Sequence, residues 1–327
     1  MDRVSNTMIK LLRYTAILRG QQKSKFLTCK NIPVDFEEDD DLGTLWKRHD
    51  NFHDGYHKKI DTSLLDLKKF ISEKIIYECH LCEKRCGTDR TKMNGECGVS
   101  QAQIASEFLH YGEEHVLVPS YTIFFSGCTF MCVFCQNWDI SQKICGRYVE
   151  PEKLAQKIET AGGINVNWVG GEPTPNLPYI FQVLEYCTRN IPQVWNSNMY
   201  CSHETMKLLE NVIDVYLTDF KFGNDKCAKR LSGVNDYCEI VSRNHLIAHG
   251  QGEIIIRHLV LPNHIECCSL PVIDWIADNI PGVLVNIMAQ YKPCYRATQY
   301  RDISRLVSRA EFQKVMDHGK ERGLNLI

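Results

Sequence analysis

The sequence has no excess of charge of either sign. Among its 327 residues, 38 Lys and Arg are matched by 40 Asp and Glu, which leaves a formal net charge of −2. It also lacks any block of Arg and Lys of the kind that neutralises nucleic-acid phosphates. We therefore expect no nucleic-acid partner. An apolar fraction of 44% is that of an ordinary globular protein.

An export signal is also missing from the expected place. The stretch from Met8 to Leu18 is interrupted by Lys10 and Arg13 and has no apolar core. We therefore expect a cytoplasmic protein, in a compartment that keeps thiols reduced.

Nor does the sequence contain a convincing membrane helix. The stretch from His115 to Trp138 carries no Asp, Glu, Lys or Arg and is long enough to cross a bilayer. Pro119 and Gly127 interrupt it, which is typical of a buried strand that runs into a tight loop. We expect no membrane partner.

The sequence is rich in cysteine, with 16 in all. In a reducing compartment, clustered cysteines indicate metal binding or catalysis before they indicate disulfides. Seven of them form two compact groups, Cys79, Cys82, Cys86 and Cys97, and Cys128, Cys132 and Cys135. Most of the other nine are expected to be small buried hydrophobic residues.

Short β-rich runs alternate with amphipathic segments after Tyr121. Six runs predict strands: Tyr121 to Ser126, Asn165 to Val169, Gln193 to Asn198, Val212 to Thr218, Glu253 to Leu261 and Val283 to Met288. The segments that predict helices are Pro151 to Ala161, Tyr179 to Arg189, His203 to Asn211, Tyr237 to His249 and Leu270 to Asp278, with a last helix opened by a capping box at Ser308-x-x-Glu311. This alternation predicts an α/β fold, a partial (βα)6 TIM-like barrel with an N-terminal cysteine-rich metal-binding extension.

We expect the chain to divide into four regions. Residues 1–76 are an irregular or helical N-terminal extension with weak helical patterns at Lys10 to Arg19 and Leu64 to Ile76, and an acidic run at residues 37–41 that reads as a solvated loop. Residues 77–115 carry the four-cysteine group, 116–295 the barrel, and 296–327 a C-terminal helical segment.

Several predicted strands end in polar or glycine-rich sequence. These ends are Gly170-Gly171-Glu172, Ser197-Asn198 and Asp219-Phe220-Lys221. In parallel α/β folds, ligands bind at the carboxyl ends of the strands. The sequence therefore predicts a functional site at one rim of a curved sheet.

The group Cys128-x3-Cys132-x2-Cys135 offers three thiolates within one loop. Such a set suits a soft metal or an iron–sulfur cluster. Three ligands on a four-iron cluster leave one iron open, as an open position distinguishes a catalytic metal from a structural one.

With Phe134 directly before Cys135, this motif resembles the Cys-x3-Cys-x-aromatic-Cys signature of the radical S-adenosylmethionine (radical SAM) superfamily, over roughly residues 120–290. The resemblance implies that the cysteines hold a 4Fe–4S cluster whose open iron binds S-adenosylmethionine. Reductive cleavage would then give methionine and a 5'-deoxyadenosyl radical that abstracts hydrogen from a substrate. It also implies an electron donor such as ferredoxin or flavodoxin.

Three further segments of the sequence are Cys135-Gln136-Asn137-Trp138, Asp219-Phe220-Lys221 and Arg257-His258-Leu259-Val260-Leu261-Pro262. These segments resemble the branch typified by the pyruvate formate-lyase activating enzyme. By that resemblance Gly170, Gly171 and Glu172 bind the methionine amino group. The remaining residues that it implies near S-adenosylmethionine or the radical path are Phe134, Asn137, Asn198, Asp219, Lys221 and Arg257. Gln136 stands where that branch has His, and this departure leaves the substrate open.

The four-cysteine group permits three interpretations. Cys79, Cys82, Cys86 and Cys97 form a complete set of tetrahedral ligands. A structural zinc, a second iron–sulfur cluster and metal-free thiols are all compatible with this spacing.

The leading hypothesis is therefore a radical SAM enzyme that abstracts hydrogen from a substrate at the strand-end rim, with a glycyl residue of a partner enzyme, or another protein or peptide, as the candidate. The alternative enzyme activity is that of a radical maturase that makes another modification of a protein or small molecule. From other classes, a zinc-stabilised binding module would leave Gly170-Gly171-Glu172 unexplained, and a redox sensor would use Cys267-Cys268.

Overall fold

In the part of the chain that the structure describes, eight strands form a single sheet whose spatial order follows the chain order. A computed structural model describes residues 11–52 and 61–327 of the chain; Met8 to Lys10, which begin two of the segments singled out above, lie outside this range. The strands are β1 Ile104–His110, β2 Ser120–Phe125, β3 Asn165–Gly170, β4 Gln193–Ser197, β5 Val215–Asp219, β6 Glu253–Leu259, β7 Leu284–Met288 and β8 Asn325–Leu326.

Strand β1 runs antiparallel to β2, and every later neighbouring pair is parallel. Because neighbouring strands are also consecutive in the chain, the right-handed crossovers all fall on one side, and the sheet curls around its other face. The expected α/β fold with a partial barrel is confirmed, and the six predicted strands correspond to β2 to β7.

The helices cover the convex side of this sheet and its ends. They are α1 Leu12–Leu18, α2 Lys25–Cys29, α3 Leu42–Asp50, α4 Leu64–Ile75, α5 Trp138–Ser141, α6 Pro151–Thr160, α7 Leu177–Tyr186, α8 His203–Leu209, α9 Asp225–Ser232, α10 Tyr237–Gln251, α11 Leu270–Asn279 and α12 Arg309–Glu321. Single turns of 3-10 helix lie at Ile76–Glu78, His115–Leu117, Thr174–Asn176, Ala297–Gln299 and Arg301–Ile303, and a π-helical turn at Ile265–Ser269. In the described part of the chain, no helix is long and apolar enough to cross a membrane.

Side-chain caps fix where several of these helices begin. The predicted capping box of α12 is present, because Ser308 Oγ accepts from the backbone of Glu311 and the Glu311 carboxylate accepts from the backbone of Ser308. Ser63 caps α4 in the same way with Asp66. Asp41, at the end of the exposed acidic run, caps α3 by accepting from Thr44 N at 2.9 Å.

Two predicted boundaries were wrong by three residues, and the others differ by at most two. Strand β5 begins at Val215 and not at Val212, because the backbone turns at Asn211 (φ 60°) and the Asp214 carboxylate is buried as an acceptor. Helix α7 begins at Leu177 and ends at Tyr186, before the predicted end at Arg189. Strand β1 and helix α9 were missed. Helix α9 buries Cys227, Ala228 and Leu231 on one face, but it is only eight residues long and half of its residues are charged.

The N-terminal segment closes one end of the barrel. Leu11 and Tyr14 pack against Val116, Leu117 and the inward-facing side chains of four strands, Val194, Val215, Leu217, Ile255 and Leu284. Glu253 at the start of β6 holds α1 in place by accepting from Arg13 N at 2.9 Å and Tyr14 N at 2.8 Å. The open end of the barrel is therefore the opposite rim, at the carboxyl ends of the strands.

Candidate active site

The three-cysteine loop leaves the sheet at the carboxyl end of β2 and returns through α5. Gly127 starts it with a positive φ of 85°, and its N–H donates to Ile140 O at 2.9 Å. The backbone N–H of Cys128 donates to Cys97 O at 3.2 Å, which joins this loop directly to the four-cysteine segment. The two cysteine groups, separate in sequence, are therefore neighbours in the fold.

Each sulfur of the loop has its own polar neighbour. Ser232 Oγ, at the end of α9, lies 3.0 Å from Cys132 Sγ, and Ser141 Oγ lies 3.2 Å from Cys135 Sγ. The backbone N–H of Phe130 points to Cys128 Sγ at 3.3 Å. Sequence reasoning missed both serines. Ser232 is 100 residues from Cys132, so their contact leaves no mark in the local pattern, whereas Ser141 is only six residues from Cys135.

This donor set fits an iron–sulfur cluster. Burial raises the pKa of the Cys132 thiol to about 12 and the pKa of Cys128 well above its usual value, and the neighbouring thiolates add to this shift. Such sulfurs ionise where a metal takes the place of the proton. The three thiols with hydrogen-bond donors around them match the soft ligand set of a cluster with one open iron.

The glycines after β3 allow two segments of backbone to touch. A Cβ atom on Gly170 would lie 2.1 Å from Phe125 N, and one on Gly171 would lie 2.0 Å from Gly127 O. A side chain on Gly170 would displace the end of β2, and one on Gly171 would displace the start of the cysteine loop. The backbone after β3 therefore lies against the end of β2 and the start of the cysteine loop.

Glu172 is a buried brace between β3 and β4. Its Oε1 accepts from Ser197 Oγ and Thr174 Oγ1, both at 2.6 Å, and its Oε2 accepts from Asn198 N at 3.0 Å. Burial raises the pKa of this carboxyl despite those donors. Its side chain therefore orients the end of β4.

Asn198 connects that strand end to the cysteine loop. Its Nδ2 donates to Thr129 Oγ1 at 3.0 Å and lies 3.9 Å from Cys128 Sγ. Its Oδ1 accepts from Tyr200 N at 3.0 Å. The predicted residue Asn198 thus lies beside one of the three sulfurs.

Asp219, Lys221 and Arg257 form one charged cluster inside the barrel rim. Arg257 Nε donates to Asp219 Oδ1 at 2.9 Å, and Lys221 Nζ bonds the other oxygen of the same carboxylate. Burial alone would raise the pKa of Asp219, but the positive charges of Arg257 and Lys221 outweigh it and lower the pKa to about 2. Three residues from two predicted strand ends are therefore brought together.

This cluster continues into a polar layer across the barrel. Arg257 Nη1 also pairs with Glu113 Oε2 at 3.4 Å, and Asn167 Nδ2 donates to Glu113 Oε1 at 3.1 Å. Asn286 Nδ2 donates to Glu114 Oε1 at 3.0 Å. Two buried acceptors of this layer, Asn167 Oδ1 and Glu114 Oε2, have no hydrogen-bond partner. A ligand with donor groups would satisfy them. Glu113 and Glu114 were not predicted, since they follow β1, a strand that the sequence did not reveal.

Phe134 and Asn137 differ in their surroundings. The Phe134 ring is buried against Phe222 and Tyr291, with ring centroids 6.2 and 6.1 Å away. Asn137 is exposed, and its backbone carbonyl accepts from Ser141 N at 2.9 Å at the start of α5. Phe134 therefore shields the loop from water, whereas the Asn137 side chain faces outward.

The four-cysteine group surrounds a pocket of its own. Cys79, Cys82, Cys86 and Cys97 line about 270 Å³ of empty space that is partly open to solvent. Arg90 also lines it, and its Nη1 lies 3.9 Å from Cys79 Sγ. A guanidinium at this position offsets the negative charge of thiolates.

The spacing of these four sulfurs can be compared with that of a tight metal site. Within the described ranges, one group of three or more possible ligands has all its ligand atoms within 4.8 Å of one another, and it consists of Cys227, His264, Cys267 and Cys268. Neither predicted cysteine group meets that condition. The predicted groups are therefore more widely spaced than the ligands of a single ion.

Comparison with known proteins finds similarity to radical SAM enzymes. The profile of the radical SAM superfamily matches residues 122–276. An uncharacterised protein of Methanocaldococcus jannaschii, MJ0674, is 44% identical over 98% of this chain and 99% of its own length. The pyruvate formate-lyase 1-activating enzyme of Escherichia coli is 26% identical over 42% of this chain and 60% of its own length. The solved structure of Streptococcus suis SuiB bound to S-adenosylmethionine covers 61% of this chain and 47% of that one, at 18% identity and a TM-score of 0.45, too distant to carry an argument.

Proposed function

Because this chain belongs to the radical SAM superfamily, whose members bind a 4Fe–4S cluster and S-adenosylmethionine, we propose that Cys128, Cys132 and Cys135 are its cluster ligands. When bound, the cofactors would supply the difficult chemistry, the one-electron reductive cleavage of S-adenosylmethionine that leads to hydrogen abstraction from the substrate. The observation that carries this proposal is the loop itself, three sulfurs at the end of β2, each beside a hydrogen-bond donor.

The residues at the ends of β3 and β4 bind S-adenosylmethionine in this proposal. The Gly170-Gly171 backbone runs beside the cysteine loop, and Glu172 fixes Asn198 next to Cys128. These contacts set where a ligand of the open iron would lie. The buried Phe134 ring keeps water from the loop, which protects a reactive intermediate.

The substrate occupies the polar layer at the open rim of the barrel. The charges of Asp219, Lys221 and Arg257 lie there, with the two unpartnered acceptors Asn167 Oδ1 and Glu114 Oε2. The activating enzyme of Escherichia coli is named for its action on another enzyme, and the similarity of this chain to it supports a protein or peptide substrate, such as a glycyl residue of a partner enzyme. A cytoplasmic ferredoxin or flavodoxin would supply the electron.

Of the interpretations left open for the four-cysteine group, a second iron–sulfur cluster has the most support. A zinc ion bound at ~2.3 Å to each sulfur would bring tetrahedral ligands to about 3.8 Å of one another. No three of the four sulfurs lie within 4.8 Å of one another. This wider spacing suits a larger metal group, and the backbone bond from Cys128 to Cys97 places it next to the first cluster for electron transfer.

The test is anaerobic reconstitution with iron and sulfide, followed by reduction with S-adenosylmethionine and chromatographic assay of 5'-deoxyadenosine. The wild-type protein should form this product. Cys132→Ala should abolish it with the fold retained, because the ligand lies on a loop. Cys145→Ala is the matched control, since Cys145 is an exposed cysteine outside both groups.

The outcomes separate the parts of the proposal. Full product formation by Cys132→Ala would refute the assignment of the cluster ligands. Product formation by Cys82→Ala at the wild-type rate, with unchanged iron content, would refute a second cluster at the four-cysteine pocket. A protein that binds zinc at both cysteine groups and no iron would be a binding module, as the competing hypothesis requires.

A further inference from the structure

A third group of metal ligands lies away from both predicted cysteine groups. It joins Cys227 in the first turn of α9 to His264, Cys267 and Cys268 beyond the end of β6. All four ligand atoms lie within 4.8 Å of one another. The sequence does not reveal this group, because Cys227 and His264 stand 37 residues apart.

We propose that Cys227, His264, Cys267 and Cys268 bind one zinc ion. Tetrahedral zinc with bonds of ~2.3 Å to sulfur and ~2.0 Å to nitrogen places two sulfurs about 3.8 Å apart and a sulfur and a nitrogen about 3.5 Å apart. His264 Nδ1 lies 3.5 Å from Cys227 Sγ, 3.5 Å from Cys267 Sγ and 3.7 Å from Cys268 Sγ. Cys267 Sγ lies 4.0 Å from Cys227 Sγ and 3.9 Å from Cys268 Sγ. These distances match the edges of that tetrahedron.

The imidazole of His264 is held in the orientation that a metal ligand needs. Its Nε2 lies 2.9 Å from Asp302 Oδ2, and Arg230 pairs with the same carboxylate. Arg230 Nη2 also lies 3.3 Å from Nε2, but the carboxylate is closer and can only accept. We therefore assign the proton to Nε2, which leaves the lone pair of Nδ1 facing the three sulfurs. A histidine that donates its far N–H to a carboxylate is the usual support of a zinc ligand.

The backbone also brings the two adjacent cysteines to one point. Residues 265–269 form a π-helical turn, in which Ser269 N donates to His264 O at 3.1 Å. The wider turn lets both Cys267 and Cys268 face His264. Such turns occur mostly at functional sites.

Asn224 links the two segments that carry the ligands. Its Oδ1 accepts from Cys227 N at 2.8 Å as the cap of α9, and its Nδ2 donates to Cys267 O at 2.7 Å. Gly223 lies so close to the π-helical turn that a Cβ would stand 2.8 Å from Cys268 O. The site therefore exists as a built cage, in which two distant segments are already docked.

The alternative use of these thiols is a redox pair of Cys267 and Cys268. Their sulfurs lie 3.9 Å apart, well beyond the ~2.05 Å of a disulfide. Three thiols and an imidazole that face one point are typical of metal ligands. A disulfide would need neither the third thiol nor the oriented histidine. The zinc would fix the start of α9, whose last residue, Ser232, contacts Cys132 Sγ.

The test is elemental analysis of the full chain, purified anaerobically and loaded with iron so that the other cysteine groups are occupied. The wild-type protein should contain about one zinc per chain, as expected for one tetrahedral site. Cys267→Ser should lose it, whereas Cys82→Ser and Cys145→Ser should keep it. X-ray absorption at the zinc edge should show three sulfur neighbours and one nitrogen neighbour.

Asp302→Asn provides a second test if Cys267→Ser does not fold. It keeps all four ligands and removes the carboxylate charge behind His264, so zinc affinity measured against a chelator should fall about 10–100-fold. Zinc retained by Cys267→Ser, zinc lost from Cys82→Ser alone, or wild-type protein without zinc would each overturn the assignment. Unchanged affinity in Asp302→Asn would do so too. None of these results depends on turnover, so they stand apart from the test of the proposed reaction.

Discussion

The ionisation of Asp219 depends on two neighbouring positive charges of the candidate site. Its side chain is 22% exposed, and the ion pairs with Arg257 and Lys221 lower its pKa to about 2. A carboxyl whose pKa is lower in the folded than in the unfolded state stabilises the fold above the unfolded value of ~3.9, and loses that effect as the pH falls through the folded value.

Asp219→Asn should therefore destabilise the protein by about 2–3 kcal/mol at pH 7, the free energy that corresponds to a pKa shift of this size. The difference from wild type should shrink between about pH 4 and pH 2, where the wild-type carboxyl takes up its proton. Urea unfolding at a series of pH values measures this. Asp278→Asn is the control, because the Asp278 side chain is 65% exposed and should change stability little. A pH-independent difference would contradict the argument.

Ser232 tests how the protein tunes the proposed cluster. Its hydroxyl lies 3.0 Å from Cys132 Sγ and stabilises negative charge on that sulfur by donating a hydrogen bond. Ser232→Ala should keep the iron content and lower the midpoint potential by on the order of 60 mV, a tenfold change in the one-electron equilibrium. A potentiometric titration followed by electron paramagnetic resonance measures the shift. Ser304→Ala, an exposed serine, should leave the potential unchanged.

The contact of the β3 end with the cysteine loop sets the geometry of the site at the level of whole elements. By resemblance, Gly170 and Gly171 were expected to bind the methionine amino group, and the sequence did not indicate their contact with the cysteine loop. The structure shows that the partner is the backbone at Gly127, 2.0 Å from a Cβ built on Gly171. A flexible side chain could barely move far enough to relieve a contact this short. The backbone at Gly127 cannot.

Gly171→Ala should therefore displace the cysteine loop and lower both stability and cluster content. We expect a loss of more than ~2 kcal/mol in the free energy of unfolding, in the range of overpacked sites. Gly250→Ala is the matched control: it lies in α10 with no atom within 4 Å of the added Cβ. That substitution should stabilise the protein by about 0.5–1 kcal/mol through helix propensity. Chemical denaturation and iron analysis of both variants measure these changes in stability and cluster content. Equal effects of the two substitutions would contradict the prediction.

The sequence predicted elements well where periodicity is strong. Strands β2 to β7 follow from short apolar runs, and amphipathic segments predict helices α6, α7, α8, α10 and α11. The α12 capping box also appeared as expected. The sequence did not predict features that depend on contacts between residues far apart in the chain. Helix α9 is short and polar, yet it carries both Ser232 and Cys227, so the partner of Cys132 and the third ligand group stayed hidden.

At the scale of the whole molecule, the N-terminal segment and the barrel share one core. The early sequence looks polar and irregular, because its apolar residues are spread over four short helices. Phe26, Leu45 and Ile71 nevertheless belong to the same buried cluster as Trp168 and Trp195 of the sheet. A local pattern could not show this, since packing between segments over 100 residues apart decides it.

A substitution at Tyr14 tests whether the N-terminal segment and the barrel unfold as one unit. It is fully buried in the closed end of the barrel, where its hydroxyl accepts from Asn165 Nδ2 at 2.8 Å. Tyr14→Ala should cost about 3–5 kcal/mol, as for other large buried aromatic side chains. Tyr111→Ala, at a tyrosine that is 70% exposed, should cost little. Because Tyr14 packs in the closed end of the barrel, circular dichroism and tryptophan fluorescence should report one shared unfolding transition. Tyr14→Ala should move this transition to a lower urea concentration. Two separate transitions, of which Tyr14→Ala shifts only one, would instead make the N-terminal segment an independent unit.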